Sequence, residues 1–231
     1  TQRQDVNDMW QYVVDGMIPA GNPNAGALKF KDLNGYLRDD SGNIVMVNGK
    51  PAYSGSPDGM IDEADMIYKG NSTPIPFSLN NSFEFGKFDV NVYFYGMFNN
   101  WQNNSTYTMF AGNLQNVALY GENTLKSLAN RWSYDNLNSS IPSIFAHVES
   151  TAAQRNGYYL EKAWFLRCDN VSLGYTFKTK KSNKYFSSLR VYAAARNLFV
   201  ITPYSGSDPE TDSQAAYPNS RTYTFGIDIT F

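Results

Sequence analysis

Residues Ser220–Phe231 read SRTYTFGIDITF. Beyond Arg221 the odd positions are Tyr223, Phe225, Ile227, Ile229 and Phe231, and the even ones are Thr222, Thr224, Gly226, Asp228 and Thr230. Successive side chains of a strand point to opposite faces, so this is a strand with one apolar and one small or polar environment. At about 3.3 Å per residue it reaches roughly 40 Å, and tilted by about 45° it crosses a hydrocarbon layer of about 30 Å. We therefore expect an all-β chain whose strands belong to a large transmembrane antiparallel β-barrel.

Four further segments carry the same alternation. Ser78–Phe85 is followed by Gly86-Lys87, a two-residue turn with glycine first, as type II′ prefers. Phe88–Phe98 sets Val90, Val92 and Phe94 against Asn91, Tyr93 and Tyr95. In Trp164–Phe177, Val171, Leu173 and Tyr175 oppose Asn170, Ser172 and Gly174. In Leu189–Ile201, Val191, Ala193 and Ala195 oppose Arg190, Tyr192 and Arg196, and the pattern blurs from Asn197 to Val200. Residues 1–25 read as polar loop, residues 70–77 (GNSTPIPF) as a Pro-rich connector, and residues 122–132 as a short helix carrying Leu125 and Leu128. We divide the chain into 1–77, a loop region, and 78–231, five strands with their loops.

Short and long connections alternate. Outer-membrane barrels put short turns in the periplasm and long loops outside, so Phe231 ends on the periplasmic side and residues 1–77 lie outside the cell. Five strands cannot close a barrel, and open edges are not tolerated in lipid, so further strands must pair with these.

Composition agrees with this. Aromatic residues are 16% of 231, with 17 Tyr and 15 Phe, which favours strands. A mean hydropathy of -0.45 is compatible with a barrel, which shows lipid only alternate residues. A net charge of -2 gives no reason to expect nucleic acid. Cys168 and His147, the sole cysteine and histidine, supply neither a disulfide framework nor a zinc site. No nucleophile or phosphate-binding motif accompanies His147, so no catalytic group is expected. The chain begins TQRQDVND and reads as a processed product or a fragment.

Two sets of residues are candidates for binding. Asp32 and Asn34, joined to Asp58-Gly59-Met60-Ile61-Asp62-Glu63-Ala64-Asp65, fit a calcium loop interrupted by residues 36–57. Asp32, Asn34, Asp58, the Met60 carbonyl, Asp62 and Asp65 are the ligands on that reading. A Gly-rich acidic surface loop without metal is the other. Inside the insert, SGN and VNGK flank Ile44–Val47 as hairpin turns. On the polar strand faces, Tyr93, Tyr95, Tyr192 and Arg196 are candidate substrate contacts, against a bland role in lining the lumen. Arg190 and Arg196 both face the presumed lumen, and structural pairing is expected for both ahead of contact with plug acids or substrate. Tyr175, Phe177, Phe225 and Phe231 are expected as an aromatic girdle near strand ends.

The segments GALKFKDLNG, DGMIDEADMIYKGNSTPIPFSLNNSFEFGKFDVNVYFYG, NRWSYDN, LRCDNVSLGYTF, LRVYAAARNLFVITPYSGSDPE and YPNSRTYTFGIDITF resemble, in order, the C-terminal part of SusC/RagA-type TonB-dependent outer-membrane transporters of Bacteroidota. The resemblance implies a plugged barrel of roughly 22 strands. It implies import of oligosaccharides or peptides, driven by TonB acting on a plug that lies outside this chain. It also implies an N-terminal part carrying the plug and remaining strands, and a SusD-like surface lipoprotein as partner. The competing expectation is a soluble β-sandwich that binds carbohydrate, whose strands pack two sheets together and are shorter. A passive porin-like channel is a third.

Overall fold

The computed structural model describes residues 7–104, 107, 125–143, 157–178, 185–211 and 219–231. They fall into two compact units, 1–73 with 103–161 and 74–102 with 162–231. No helix among the described residues is long and apolar enough to cross a membrane, which says nothing about strands.

The first unit is a set of small ribbons. β1 (Asp8–Gln11) pairs with β6 (Ile67–Asn71), and β2 (Val14–Met17) with β3 (Leu28–Phe30). Asp8–Gln11 and Val14–Met17 are thus strands where polarity implies loop, while residues 18–25 form turns as expected. A few aromatic anchors suffice: Trp10 lies 5.5 Å from Tyr68, and Tyr12 is buried 5.8 Å from Phe30. Trp132 is buried against Gly26, where any Cβ would come within 2.4 Å of the indole. The helix expected over 122–132 is, among its described residues, a 3-10 turn at Lys126–Asn130 with Leu128 buried. The insert folds back on itself. β4 (Met46–Val47) and β5 (Lys50–Pro51) flank Asn48 and Gly49, both at positive φ (52° and 73°), as a type I′ turn requires. At its base Tyr36 stacks on Tyr53, and burial pushes the Tyr36 phenol up to about 12.

The second unit holds the expected sheet. It has five strands in the order β13-β12-β11-β8-β7, all antiparallel: β7 (Ile75–Phe85), β8 (Phe88–Phe98), β11 (Phe165–Lys178), β12 (Ser188–Ile201) and β13 (Thr222–Thr230). β9 (Trp101–Asn103) and β10 (Leu160–Lys162) pair beyond the ends of the long strands. Strands of 14 residues in β11 and β12 extend about 46 Å, enough to cross a bilayer when tilted. That length belongs to a barrel wall rather than to the β-sandwich of the alternative reading. β7 starts earlier than expected and takes in Pro76. Gly86 at φ 62° makes the tight turn between β7 and β8.

The two faces differ as the closing strand implies. Phe83, Val90, Leu173, Ala193 and Phe225 form one register row across the sheet. Phe83 (60%), Phe225 (81%) and Ile227 (64%) stay exposed, an apolar surface that suits lipid and not water. Phe88, Tyr175 and Phe177 contact edge-to-face near the short turns, where a girdle is expected. Phe225 stands mid-strand in β13 instead, so it belongs to the apolar band. The opposite face carries the row Glu84, Asp89, Gly174, Tyr192 and Gly226.

One irregularity shapes the end of the sheet away from the short turns. Between Tyr93 and Phe94 of β8 there is no extra residue, whereas β11 inserts Asp169 and β12 inserts Asn197 and Leu198. Asn197 takes a left-handed φ of 50° to accommodate this. The bulges are the physical reason the alternation blurs at Asn197.

Candidate functional site

The bulges place Arg167 on the polar face, opposite Tyr95 and Val200. Its side chain is only 2% exposed. A buried guanidinium must find anionic partners, and the loop that follows β12 delivers them. Nη2 lies 2.8 Å from Asp208 Oδ1, and Nη1 donates to Asn197 Oδ1. Nε lies 2.5 Å from Glu210 Oε2, an ion-pair contact whose N–H is not aligned for a hydrogen bond.

The loop is stitched to three strands. Thr202 Oγ1 donates to the Trp164 carbonyl at 2.8 Å, and the Tyr95 hydroxyl donates to Glu210 at 2.9 Å. The Gln102 side-chain amide donates to the Pro209 carbonyl at 2.8 Å. Asp208 accepts from the Glu210 amide, and Asn197 Nδ2 donates to the Asn219 carbonyl at 2.6 Å. Residues 202–211 form a strap across the strand ends, with Arg167 as its pin.

Beside the pin opens a cleft of about 510 Å³, lined among others by Tyr93, Tyr95, Asp169, Arg196, Asn219 and Thr222. Tyr93 and Tyr95 stack 6.0 Å apart at 26°. Arg196 is largely exposed, with Asp169 as its charged neighbour at 4.0 Å. Three of the four candidate contacts, Tyr93, Tyr95 and Arg196, thus come together. Tyr192 does not join them. Its ring covers Gly226, where a Cβ would come within 2.4 Å, and the Arg190 guanidinium lies 4.8 Å above it. Arg190 pairs as expected, donating to Asp89 at 2.6 and 2.9 Å and to Asp228 at 2.9 Å. It reaches Asp89 across β11 only because Gly174 has no side chain.

In the first unit the split acidic motif reassembles. Asn34 Oδ1 accepts from the amides of Gly35 (3.0 Å) and Gly55 (2.8 Å), which brings the two ends of the insert together. Gly35 approaches Asp58 so closely that a Cβ would lie 2.5 Å away. Asp32 accepts from the amides of Asp58 and Gly59, and Asp58 from that of Met60. Asp62 caps the 3-10 turn Glu63–Asp65. Asp65, fully buried, accepts from Leu33, Asn34 and Asp62 amides at 2.6, 3.1 and 2.9 Å. These carboxylates close the loop through backbone N–H groups. No group of three His, Cys, Asp or Glu suited to a metal occurs among the described residues.

Arg167, Asn197, Asp208 and Glu210 were not singled out from the sequence. Cys168 is a free, buried cysteine. His147 and Lys180, Lys181 and Lys184 lie outside the described residues.

No family model matches the chain. The TonB-dependent receptor SusC of Bacteroides thetaiotaomicron is 29% identical over 194 residues, covering 80% of this chain and 18% of SusC. The sequence is similar to SusC-type TonB-dependent receptors. The TonB-dependent receptor P3 of Formosa agariphila is 25% identical over 190 residues, covering 75% of this chain and 18% of its own length. The RagAB peptide importer in its open-open state superposes with a TM-score of 0.61 at 23% identity, over 97% of this chain and 22% of that one. In its closed-closed state the TM-score is 0.60 at 24% identity, over 97% and 23%. This likeness shows the fold, an antiparallel β-barrel wall, which the five strands do not close by themselves. The chain spans about a fifth of the length of these SusC-type relatives. The relatives are receptors and importers rather than enzymes, in keeping with the expectation that this chain makes and breaks no bond.

Proposed function

We infer that the chain forms part of the wall and outer mouth of a TonB-dependent transporter in the outer membrane. The observation that carries this is the two-faced sheet. One face is apolar and exposed, the other is crossed by ion pairs, the short turns share one end, and the long loops share the other. The likeness to SusC and other TonB-dependent receptors supports the same assignment. On this reading a plug and further strands complete the barrel, and a SusD-like lipoprotein covers the mouth. The cargo, an oligosaccharide or a peptide, passes Tyr93, Tyr95 and Arg196 on its way in.

Cysteine labelling on intact cells tests the topology. In the full receptor, Ser207→Cys in the strap reacts with a membrane-impermeant maleimide, and Lys87→Cys in the short turn reacts only after permeabilisation. The reverse pattern overturns the assignment. We also propose Ca²⁺ at Asp32, Asn34, Asp58, the Met60 carbonyl, Asp62 and Asp65, a reading supported by hard oxygen ligands at calcium-loop spacing.

A further inference from the structure

The apolar face of the sheet is not uniform. Its register rows place aliphatic side chains on the three middle strands and rings around them. Val92, Val171 and Ala195 form one row, and Val90, Leu173 and Ala193 the next. Phe83 of β7 stands on one flank, and Tyr223 and Phe225 of β13 on the other. Toward the long loops the floor ends at Phe94 and Phe199, whose rings lie 6.4 Å apart. Toward the short turns it ends at Phe88 and Tyr175, edge to face at 4.8 Å. The result is a shallow trough, three strands or about 10 Å wide. From Phe88 to Phe94 it runs roughly 20 Å along the strand. Tilted by about 45°, that is about 14 Å of depth, close to half of a hydrocarbon layer of about 30 Å. The trough therefore matches the acyl region of one leaflet. A chain lying on Ala193 and Ala195 meets side chains beneath it and on both sides, which multiplies its dispersion contacts.

The end of the trough at the short turns carries a positive charge. Lys87 is exposed in the turn between β7 and β8, and its carbonyl accepts from the Thr176 amide at 2.8 Å. Its ammonium lies 6.0 Å from the centroid of the Tyr175 ring, on the apolar side of the sheet. Asp89, on the polar side, is taken by Arg190, and no described carboxylate pairs with Lys87. On the apolar side the row below the trough is Phe85, Phe88, Tyr175 and Val191, with no acid among them. A cation held at the aromatic girdle without a counter-ion attracts an anionic head group. A zwitterionic head group gains less, since its own ammonium meets no carboxylate there.

We propose that the trough holds one anionic glycerophospholipid of the periplasmic leaflet, with its phosphate at Lys87 and an acyl chain along Ala193 and Ala195. This rests on the barrel-wall reading, which places the apolar face in the bilayer and the short turns in the periplasm. The full receptor, purified in detergent and stripped of lipid, is titrated while native mass spectrometry counts the lipids retained. The probes are palmitoyl-oleoyl phosphatidylglycerol, phosphatidylcholine with the same chains, and inorganic phosphate.

The first lipid retained is phosphatidylglycerol, in preference to phosphatidylcholine. Lys87→Gln weakens it by about fivefold and erases the preference. Ala193→Phe stands a ring on the floor and removes the bound lipid, and Lys50→Gln in the loop insert leaves it unchanged. The heat-modifiable band on gels shows that each variant folds. Equal retention of the two lipids by the wild type overturns the proposal. So does a bound phosphatidylglycerol that Lys87→Gln or Ala193→Phe leaves unaffected, or one that inorganic phosphate displaces. Labelling of Lys87→Cys from outside intact cells sinks the barrel-wall reading itself. A receptor with the expected labelling that retains no phosphatidylglycerol refutes the lipid site alone.

Discussion

Replacing Arg167 by Met in the full receptor isolates the strap from the rest of the wall. The substitution keeps most of the side-chain volume and removes the charge. Asp208, 5% exposed, and Glu210, 24% exposed, then lose their cation. Removing one partner of a buried pair costs about 3–5 kcal/mol, because the remaining charge is left uncompensated. With about 1.4 kcal/mol per factor of ten, opening of the strap becomes roughly a hundredfold to a few thousandfold more frequent. Hydrogen exchange reads this directly. The reporters are the Tyr204 amide on Thr202 Oγ1, the Glu210 amide on Asp208 Oδ1 and the Thr211 amide on the Asp208 carbonyl. The control is the Ser187 amide, which donates to the Thr230 carbonyl beside the short turns and should not change. Adding Asp208→Asn and Glu210→Gln removes the orphaned charges and should restore most of the protection. Acceleration of less than about fivefold at the strap amides, with the receptor folded, refutes the role of Arg167 as pin.

Three further outcomes follow from the geometry. Gly174→Ala drives a methyl group into Asp89 and Arg190 and should lower the temperature at which the folded band converts on gels; the loss should stay within about 2 kcal/mol because both partners are near one-third exposed, and an unchanged midpoint counts against the bridge. Asn34→Ala frees the Gly35 and Gly55 amides at the root of the insert, so trypsin should cut after Arg38 several times faster, while equal rates in both proteins show that the root does not depend on this side chain. Ca²⁺ titration should raise the melting temperature of the receptor saturably in the wild type and not in Asp58→Ala, and identical curves for the two proteins remove the calcium reading.

What the sequence revealed, and what it hid, comes down to parity. Where two neighbours keep strict alternation, as in Phe88–Phe98 and Thr222–Thr230, the faces are legible residue by residue. Asp169 breaks the count in β11. Above it the polar face passes from even to odd positions, so Arg167 reads as a lipid-side residue next to a strand of otherwise clear pattern. Asp208 and Glu210 sit in a polar loop whose composition carries no sign of what it covers. Tyr192 shows the converse limit. Periodicity puts it correctly on the polar face, but only register shows that it sits over Gly226, away from the cleft. In Asp8–Gln11 and Val14–Met17, three-dimensional pairing with β6 and β3 overrides a local composition that favours loop.

The root of the insert has a consequence for engineering and for descent. Asn34 joins residues that are 21 positions apart in the chain, and the Gly35 carbonyl accepts from the Ser54 amide at 2.8 Å across the same junction. The excursion 36–53 is thus a closed cassette. Loop-closure entropy grows only slowly with length, about 0.6 kcal/mol per doubling, so its size is nearly free to vary while the junction is kept. A shorter glycine bridge or a grafted epitope placed between Gly35 and Ser54 should leave Asp32, Asp58 and Asp65 in their places. The same tolerance gives lineages a site at which surface segments can be exchanged without touching the barrel.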